Sequence, residues 1–281
     1  MTASLNPYIS QFGEEFDAEK SSQYRMTIQY ALGGLSYALL DDKAQTLIAL
    51  ECYQSELLAD NNDLFRCLER ALEAKGLNNK AFQSVTSIID ERTNMLVPEP
   101  LYQSDSNEKL LSFRFNLPRN HAIIAERLER HKAFNVFAFS KTLHSKTKAK
   151  WPELHIVHSS SVFLKSLPQS ETPTVYLNVR NRDFDMAIMD DKLLFYNNFK
   201  FNTKDDFAYF LLFAMNQCGL SGDDTPVCFS GLILPTSEII DRCSRYIKTI
   251  RFVEDPHTFR VSDRLDEVPY QYYFTHYQAL R

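Results

Sequence analysis

One stretch of this chain occurs twice, and the repetition limits the folds open to it more than any other feature. Residues 26–43 read MTIQYALGGLSYALLDDK and residues 175–192 read VYLNVRNRDFDMAIMDDK. Aligned without a gap they lie 149 positions apart, which sets Asp41-Asp42-Lys43 on Asp190-Asp191-Lys192. Each copy alternates apolar and polar residues, breaks at a polar kink, alternates again and ends in an acidic turn. That rhythm specifies a β-hairpin running into a third strand. A chain that repeats such a unit is expected to fold as two related halves, and 281 residues suffice to bury a core in each.

The repeat continues beyond the strands. In the first copy Met26–Leu32, Leu35–Leu40 and Thr46–Tyr53 read as strands, with Gly33-Gly34 supplying the first turn. A helix follows from a cap at Asp63, with Leu64, Cys67, Leu68, Ala71 and Leu72 on one face and Gly76 as its terminator. Phe82–Ile89 is the next strand. In the second copy Asp206 caps a helix whose apolar residues Phe207, Phe210, Leu211, Ala214 and Met215 each lie 143 positions beyond their counterparts. Gly219-Leu220 matches Gly76-Leu77 at that offset, and Val227-Cys228-Phe229 matches Ser84-Val85-Thr86. Cap, face and terminator repeating in register make an internal duplication the natural reading.

After that point the halves diverge. In the first, Leu110–Leu117 reads as an inserted strand carrying Phe113 and Phe115, and Asn120–Lys132 as a helix. Asn135–Phe139 is a strand, Lys141–Lys150 a basic helix, His155–Val157 a short strand and Ser160–Leu167 a helical turn or two. In the second, Ser237–Ile247 is a helix and Thr249–Val253 a strand. The polar, proline-containing stretch Gln169–Pro173 marks the boundary. Each half then reads βββαβαβ, a mixed sheet with crossover helices, which is α/β architecture.

A βββαβα unit present twice in one chain resembles the actin-like ATPase fold of actin, sugar kinases and bacterial division and secretion-platform proteins. Strand, helix, short strand, helix and a fresh hairpin from Phe134 to Phe199 resemble the passage between lobes in pilus-assembly and division proteins of this fold. More narrowly, the chain resembles an uncharacterised bacterial family of that fold. The residues that carry this are Val157-His158-Ser159-Ser160, Asp206-Phe207-Ala208-Tyr209, Phe229-Ser230-Gly231 and the aromatic C-terminus from Val268. The resemblance covers about residues 25–281 and implies a two-lobed, ribonuclease H-like architecture. Residues 1–24 are a leader, 25–168 the first lobe with an inserted segment near 97–118, and 174–281 the second lobe.

The resemblance also implies where a nucleotide would sit. In that superfamily the two hairpin turns face each other across the interlobe cleft and hold the phosphates, and an acidic residue in the first strand helps hold hydrated magnesium. Here the first turn offers Gly33, Gly34 and Ser36, but Ala31 and Leu32 stand where the carboxylate is expected. The second turn, Arg180-Asn181-Arg182-Asp183-Phe184, has no glycine, so Arg180 and Arg182 bring charge without an amide cradle. Ser230-Gly231 keeps one of the paired glycines of the adenosine-binding stretch. The expectation is a non-catalytic protein that works through protein–protein interaction and needs no cofactor. The alternative is a divergent Mg-ATP-binding ATPase or phosphotransferase using Gly33, Gly34, Ser36, Arg180, Arg182, Ser230 and Gly231.

Composition narrows the partners. A net charge of −5 argues against nucleic acid as the default partner. The basic patch of Lys141, Lys146, Lys148 and Lys150, with His144 and Trp151, reads first as a solvated helix face and second as a nucleic-acid surface. His155 and His158 would point to opposite faces of a strand, so no metal is expected from them. The five cysteines form no CxxC pair and read as reduced core thiols. The first twenty residues lack the apolar core of a signal peptide, and the run near Phe207–Met215 is too short to span a bilayer, which makes the cytoplasm the expected location. Tyr270, Tyr272, Tyr273, Phe274 and Tyr277 in the tail read first as an apolar strap or edge strand, and second as a surface for a protein partner or self-association.

Overall fold

The computed structural model describes residues 6–31, 33–55, 58, 61–117 and 119–281, so Leu32 and the start of the leader lie outside the described residues. Two compact units result: one holds the described residues up to Val162 with His257–Val268 and His276–Arg281, the other Phe163–Pro256 with Pro269–Thr275. The division therefore falls upstream of residues 169–173, and the C-terminal stretch is shared between the units.

The first unit begins with a strand that the leader reading did not anticipate, β1 (Ile9–Phe12). Then come β2 (Tyr24–Ala31), β3 (Gly34–Asp41), β4 (Thr46–Gln54), helix α1 (Asn61–Ala74) and β5 (Ser84–Asp90). An insertion follows: β6 (Asn94–Pro98), α2 (Asn107–Arg114), β7 (His121–Leu128) and β8 (Ala133–Ser140). The chain then returns through α3 (Lys141–Lys150) and β9 (His155–His158) to α4 (Ser159–Ser166). The second unit runs through β10 (Thr174–Val179), β11 (Asp183–Met189), β12 (Leu193–Lys200), α5 (Lys204–Gln217), β13 (Val227–Gly231), α6 (Glu238–Cys243) and β14 (Ile250–Phe252). Last come β15 (Arg260–Val261) and α7 (Tyr270–Leu280).

The duplication is visible in the sheets. One is ordered β4-β3-β2-β5-β9 and the other β12-β11-β10-β13-β14, the same topology with an antiparallel meander and two parallel additions. The first hairpin pairs Met26 with Leu39 and the second pairs Val175 with Ile188, each residue displaced by 149. Both helices end alike: Gly76 (φ +71°) and Gly219 (φ +69°) sit in the left-handed region, and Leu77 N–H and Leu220 N–H reach back to Leu72 O and Met215 O. The following strands carry a correction. Met26 faces Val85 while its counterpart Val175 faces Val227, so Val227 answers Val85 and not Ser84. The second connection is one residue shorter than the uniform 143-residue offset requires, and this slip keeps Val85 and Val227 both on the core face.

Two helix starts also differ from expectation. Helix α1 begins at Asn61, two residues before Asp63. In α5 the cap is Thr203, whose hydroxyl accepts Asp206 N–H while the Asp206 carboxylate accepts Thr203 N–H, a reciprocal capping box. The insertion is larger than residues 97–118 and differs in kind. Leu110–Leu117 is mostly helix, residues 121–128 are a strand, and Asn135–Phe139 belongs to the inserted antiparallel sheet β6-β8-β7.

In the first unit α1 and α3 cover one sheet face, burying Leu68, Leu72 and Leu143 against Met26, Ile28 and Leu39. In the second, Phe207, Leu211 and Met215 of α5 pack on Val175, Leu177 and Phe184. The outer edge of β4 is closed by β1 along Ala49–Cys52 and by β15 at Thr46–Leu47. Ser10 Oγ–H donates to the buried Glu51 carboxylate at 2.7 Å, and Tyr37 O–H donates to its other oxygen at the same distance.

Candidate functional site

The first hairpin turn, between β2 and β3, is the one that the nucleotide-binding alternative would set on phosphate. Gly33 has φ +74°, and its carbonyl accepts the Ser55 N–H at 2.9 Å. Ser36, two residues into β3, has a partner from the far end of the chain. His276 of α7 is 2% exposed, with Nε2 2.7 Å from Ser36 Oγ and Nδ1 2.8 Å from Thr27 Oγ1. Burial pushes this imidazole down to about 3, so it is neutral, and its one N–H and one lone pair are matched by the two hydroxyls.

The second turn, between β10 and β11, is a two-residue loop closed by Arg180 N–H donating to Asp183 O at 2.8 Å. Arg180 folds back over its own strand pair. Its Nη1 lies 2.7 Å from Oδ2 of Asp185, a carboxylate with no exposed surface, and its Nε meets Asp183. Tyr196 O–H donates to the other Asp185 oxygen at 3.0 Å. Arg182, at the loop tip, is exposed. By the hairpin offset Asp185 stands where Ser36 stands in the first copy, and each is held by a side chain of its own unit.

Ser230 and Gly231 close β13. Ser230 is fully buried, its hydroxyl donating to Leu177 O at 2.9 Å. Gly231 has φ +88°, and a Cβ there would run into the backbone of Val179. The glycine is required by the close approach of β10, independently of any ligand.

At the carboxyl ends of β5 and β9, the edge where ligands sit in open α/β sheets, His158, Ser159 and Ser160 meet two acidic residues that the sequence did not single out, Asp90 and Glu91. Asp90 ends β5 in register with Ala31 and accepts from Gln29 Nε2 at 2.8 Å and Ser159 Oγ at 2.5 Å. Burial, and then the neighbouring Asp90, raise the Glu91 carboxyl to about 7. His158 is buried; Nε2 lies 2.7 Å from Glu91 O and Nδ1 accepts Ser160 N–H at 3.1 Å. With both ring nitrogens on backbone partners, this histidine is no base for the adjacent serines. Asn135 links Ser161 to Asn94, and Glu126 accepts the His158 N–H, so the cluster ties the inserted sheet to α4. Acidic residues directly after the Ile88-Ile89 end of a strand were the signal available in the sequence. Among the described residues no three His, Cys, Asp or Glu side chains converge as a metal site.

The other candidates separate cleanly. His155 is exposed and His158 buried, as opposite strand faces require. In the basic helix Lys150 donates to Asn78 at 2.7 Å, Lys146 lies over the Phe65 ring and Trp151 is buried, which leaves Lys141 and Lys148 as its exposed lysines. The tail is helix α7, in which Tyr273, Phe274 and Tyr277 are buried, so these three are not available as a partner surface; Tyr270 and Tyr272 are half-buried. The Tyr277 hydroxyl oxygen accepts the Phe259 N–H at 2.8 Å, and Arg25 donates to Leu280 O. All five cysteines are free, and burial pushes Cys52 and Cys243 up to about 12, far from a reactive thiolate. Exposed apolar side chains lie elsewhere: Phe113 on α2, and Tyr209 with Phe213 on α5, whose rings stack at 5.9 Å.

Among the described residues no helix is long and apolar enough to cross a membrane. No curated protein matches the sequence. Among solved structures, a protein of actin-like ATPase fold and unknown function from Bacteroides thetaiotaomicron VPI-5482 is similar with a TM-score of 0.73 at 16% identity, covering 85% of this chain and 93% of that one. The PilM-PilN type IV pilus biogenesis complex is similar with a TM-score of 0.60 at 11% identity, covering 92% of this chain and 98% of that one. The duplicated βββαβαβ architecture is thus the actin-like ATPase fold. The model of a family described as protein of unknown function (DUF3822) matches residues 13–250, and the chain belongs to that family.

Proposed function

We propose that this chain is a binding scaffold, an actin-like fold that works by holding another protein and does not turn over nucleotide at its hairpin turns. The observation that carries this reading is that two of the side chains the nucleotide-binding alternative would set on phosphate, Ser36 and Arg180, are committed inside the protein. Ser36 is bonded to His276, and Arg180 to Asp183 and the buried Asp185. To reach a phosphate, Arg180 would have to give up its ion pair with a buried carboxylate, which costs roughly 3 kcal/mol. The carboxylate at the sheet edge, Asp90, is likewise engaged by Gln29 and Ser159. One of the similar folds occurs in a pilus-biogenesis complex, PilM-PilN, which supports a protein partner. The setting we infer is the cytoplasm, which suits five free thiols.

Thermal unfolding of the full chain with and without Mg-ATP tests this reading. A ligand at about a hundred times its dissociation constant adds roughly 2.7 kcal/mol, a midpoint rise of several degrees for a protein of this size. The expected result is no rise. A rise that grows with Mg-ATP concentration would sink the scaffold reading in favour of a divergent ATPase or phosphotransferase.

A further inference from the structure

We propose, resting on the scaffold reading, that the partner protein docks on the second unit by adding an extended segment, antiparallel, to the outer edge of β12, with its apolar side chains on the aromatic face of α5. The duplication supplies the argument, because the first copy shows the same edge occupied. Matching the hairpins sets β12 on β4: Leu35 pairs with Tyr53 as Phe184 pairs with Phe199, and Leu39 with Ala49 as Ile188 with Phe195. Even the irregularity repeats, since Ile48 and Leu194 are both skipped in the pairing. On β4 the strand β1 lies antiparallel, and Gly13 N–H donates to Ile48 O at 2.8 Å. Among the described residues β12 is the last strand of its sheet. The consequence shows in burial. Leu47, Ile48 and Ala49 have no exposed surface, whereas Leu194 is 40% exposed and Leu193, Phe195 and Phe199 are half-buried. A long apolar edge of this kind is a template for a further strand, and strand addition is a recurrent mode of peptide capture.

The helix beside this edge selects the occupant. Tyr209 and Phe213 of α5 stand where Arg66 and Arg70 stand on α1, 143 positions earlier, and all four are exposed. The helix beside the covered edge thus shows water two cations, and the helix beside the open edge shows it two aromatic rings. Those rings continue the edge: Phe195, Phe199, Phe210, Tyr209 and Phe213 follow one another with centroids 6.3, 5.2, 5.4 and 5.9 Å apart. In the first copy the covering strand brings Phe12 to the corresponding side, packed on the core with Lys75 Nζ 4.1 Å from its ring. The counterpart segment on β12 therefore carries an apolar side chain at every second position, which the five rings receive while its backbone extends the sheet. A helical partner would cover the rings and add nothing to the sheet. Leu194, Tyr209 and Phe213 all leave water when the segment binds, which drives the association.

The test is selection of a phage-displayed random peptide library on the full chain, followed by fluorescence anisotropy of the enriched peptides and hydrogen–deuterium exchange of the complex. Tyr209→Ser and Phe213→Ser alter the exposed rings of α5, and Phe113→Ser alters an exposed ring of the first unit as a control. Circular dichroism checks that each variant is folded. The proposal expects enriched peptides with apolar residues at alternate positions, and slower amide exchange in residues 193–200 when they bind. Their affinity should fall about ten-fold in Tyr209→Ser and in Phe213→Ser, the loss of one anchor, and hold in Phe113→Ser. No enrichment, peptides that leave exchange in β12 unchanged, or equal binding by all variants overturns the proposal. So does a concentration-dependent dimer in analytical ultracentrifugation that slows the same amides, because a second copy then takes the edge. Each of these outcomes leaves the scaffold reading standing. That reading fails separately, as the Mg-ATP shift in unfolding.

Discussion

At the scale of single residues, the account turns on what His276 and Arg180 hold. Between about 3 and the ordinary value of 6.5 the unfolded chain binds a proton at His276 that the folded chain refuses. Its contribution to stability is therefore intact above that window and falls as the pH drops through it, by up to about 1.4 kcal/mol per pH unit. Glu91 tilts the curve the other way, because its raised carboxyl favours the folded state at low pH, with a contribution lost as pH rises from 4.5 towards about 7. The stability difference between wild type and His276→Gln cancels that background. Urea titrations at a series of pH values should show this difference shrinking from pH 6.5 towards pH 4; a pH-independent difference would contradict a buried neutral imidazole. Arg180→Ala removes an ion pair from the buried Asp185 and should cost roughly 3 kcal/mol, whereas Arg182→Ala at the exposed tip should stay within about 0.5 kcal/mol. Equal losses in urea denaturation would refute the assignment. The sequence displayed Ser36, Arg180 and Arg182 but not their partners. The His276 bond spans 240 positions, and no local pattern encodes a contact of that range.

At the scale of elements, the repeated helix caps give the sharpest test of the duplication. Gly76→Ala and Gly219→Ala each force a Cβ into the left-handed region, and each should cost about 1 kcal/mol. Nothing lies within 4 Å of the Cβ position at Gly219, and Ala18 Cβ is the atom met at Gly76, at an ordinary 3.6 Å, so neither value should be inflated by a clash. Thermal unfolding that finds one cap costly and the other neutral would argue that the two ends are not equivalent. Caps, hairpins and core helices were legible because their signals are local and occur twice. The insertion was not. Leu111, Phe113 and Phe115 alternate like a strand, yet they lie at the end of α2, where Phe113 faces solvent. Ile124 and Leu128 are spaced like a helix face, yet pairing with β8 makes residues 121–128 a strand. Short segments that fit both periods are decided by their neighbours, and these neighbours belong to a sheet with no second copy in the chain.

At the scale of the whole molecule, the chain keeps the scaffold of an actin-like ATPase while wiring its turns into internal hydrogen bonds and ion pairs. The fold was readable from the sequence because each half repeats the same element order, and the two sheets share one topology. The site was readable only as a list of residue types. Gly231 was matched to a nucleotide-binding glycine, and its backbone proves to be dictated by Val179 of the adjacent strand. Asp90, the carboxylate at the carboxyl end of β5, drew no notice because its partners, Gln29 and Ser159, are 61 and 69 positions away. The measurement that tests the central claim most directly is isothermal titration of the full chain with Mg-ATP and Mg-ADP at millimolar concentration. The account predicts no saturable heat from either nucleotide. Saturable one-to-one binding that is lost in Arg182→Ala or Gly34→Val, with the fold preserved, would contradict it.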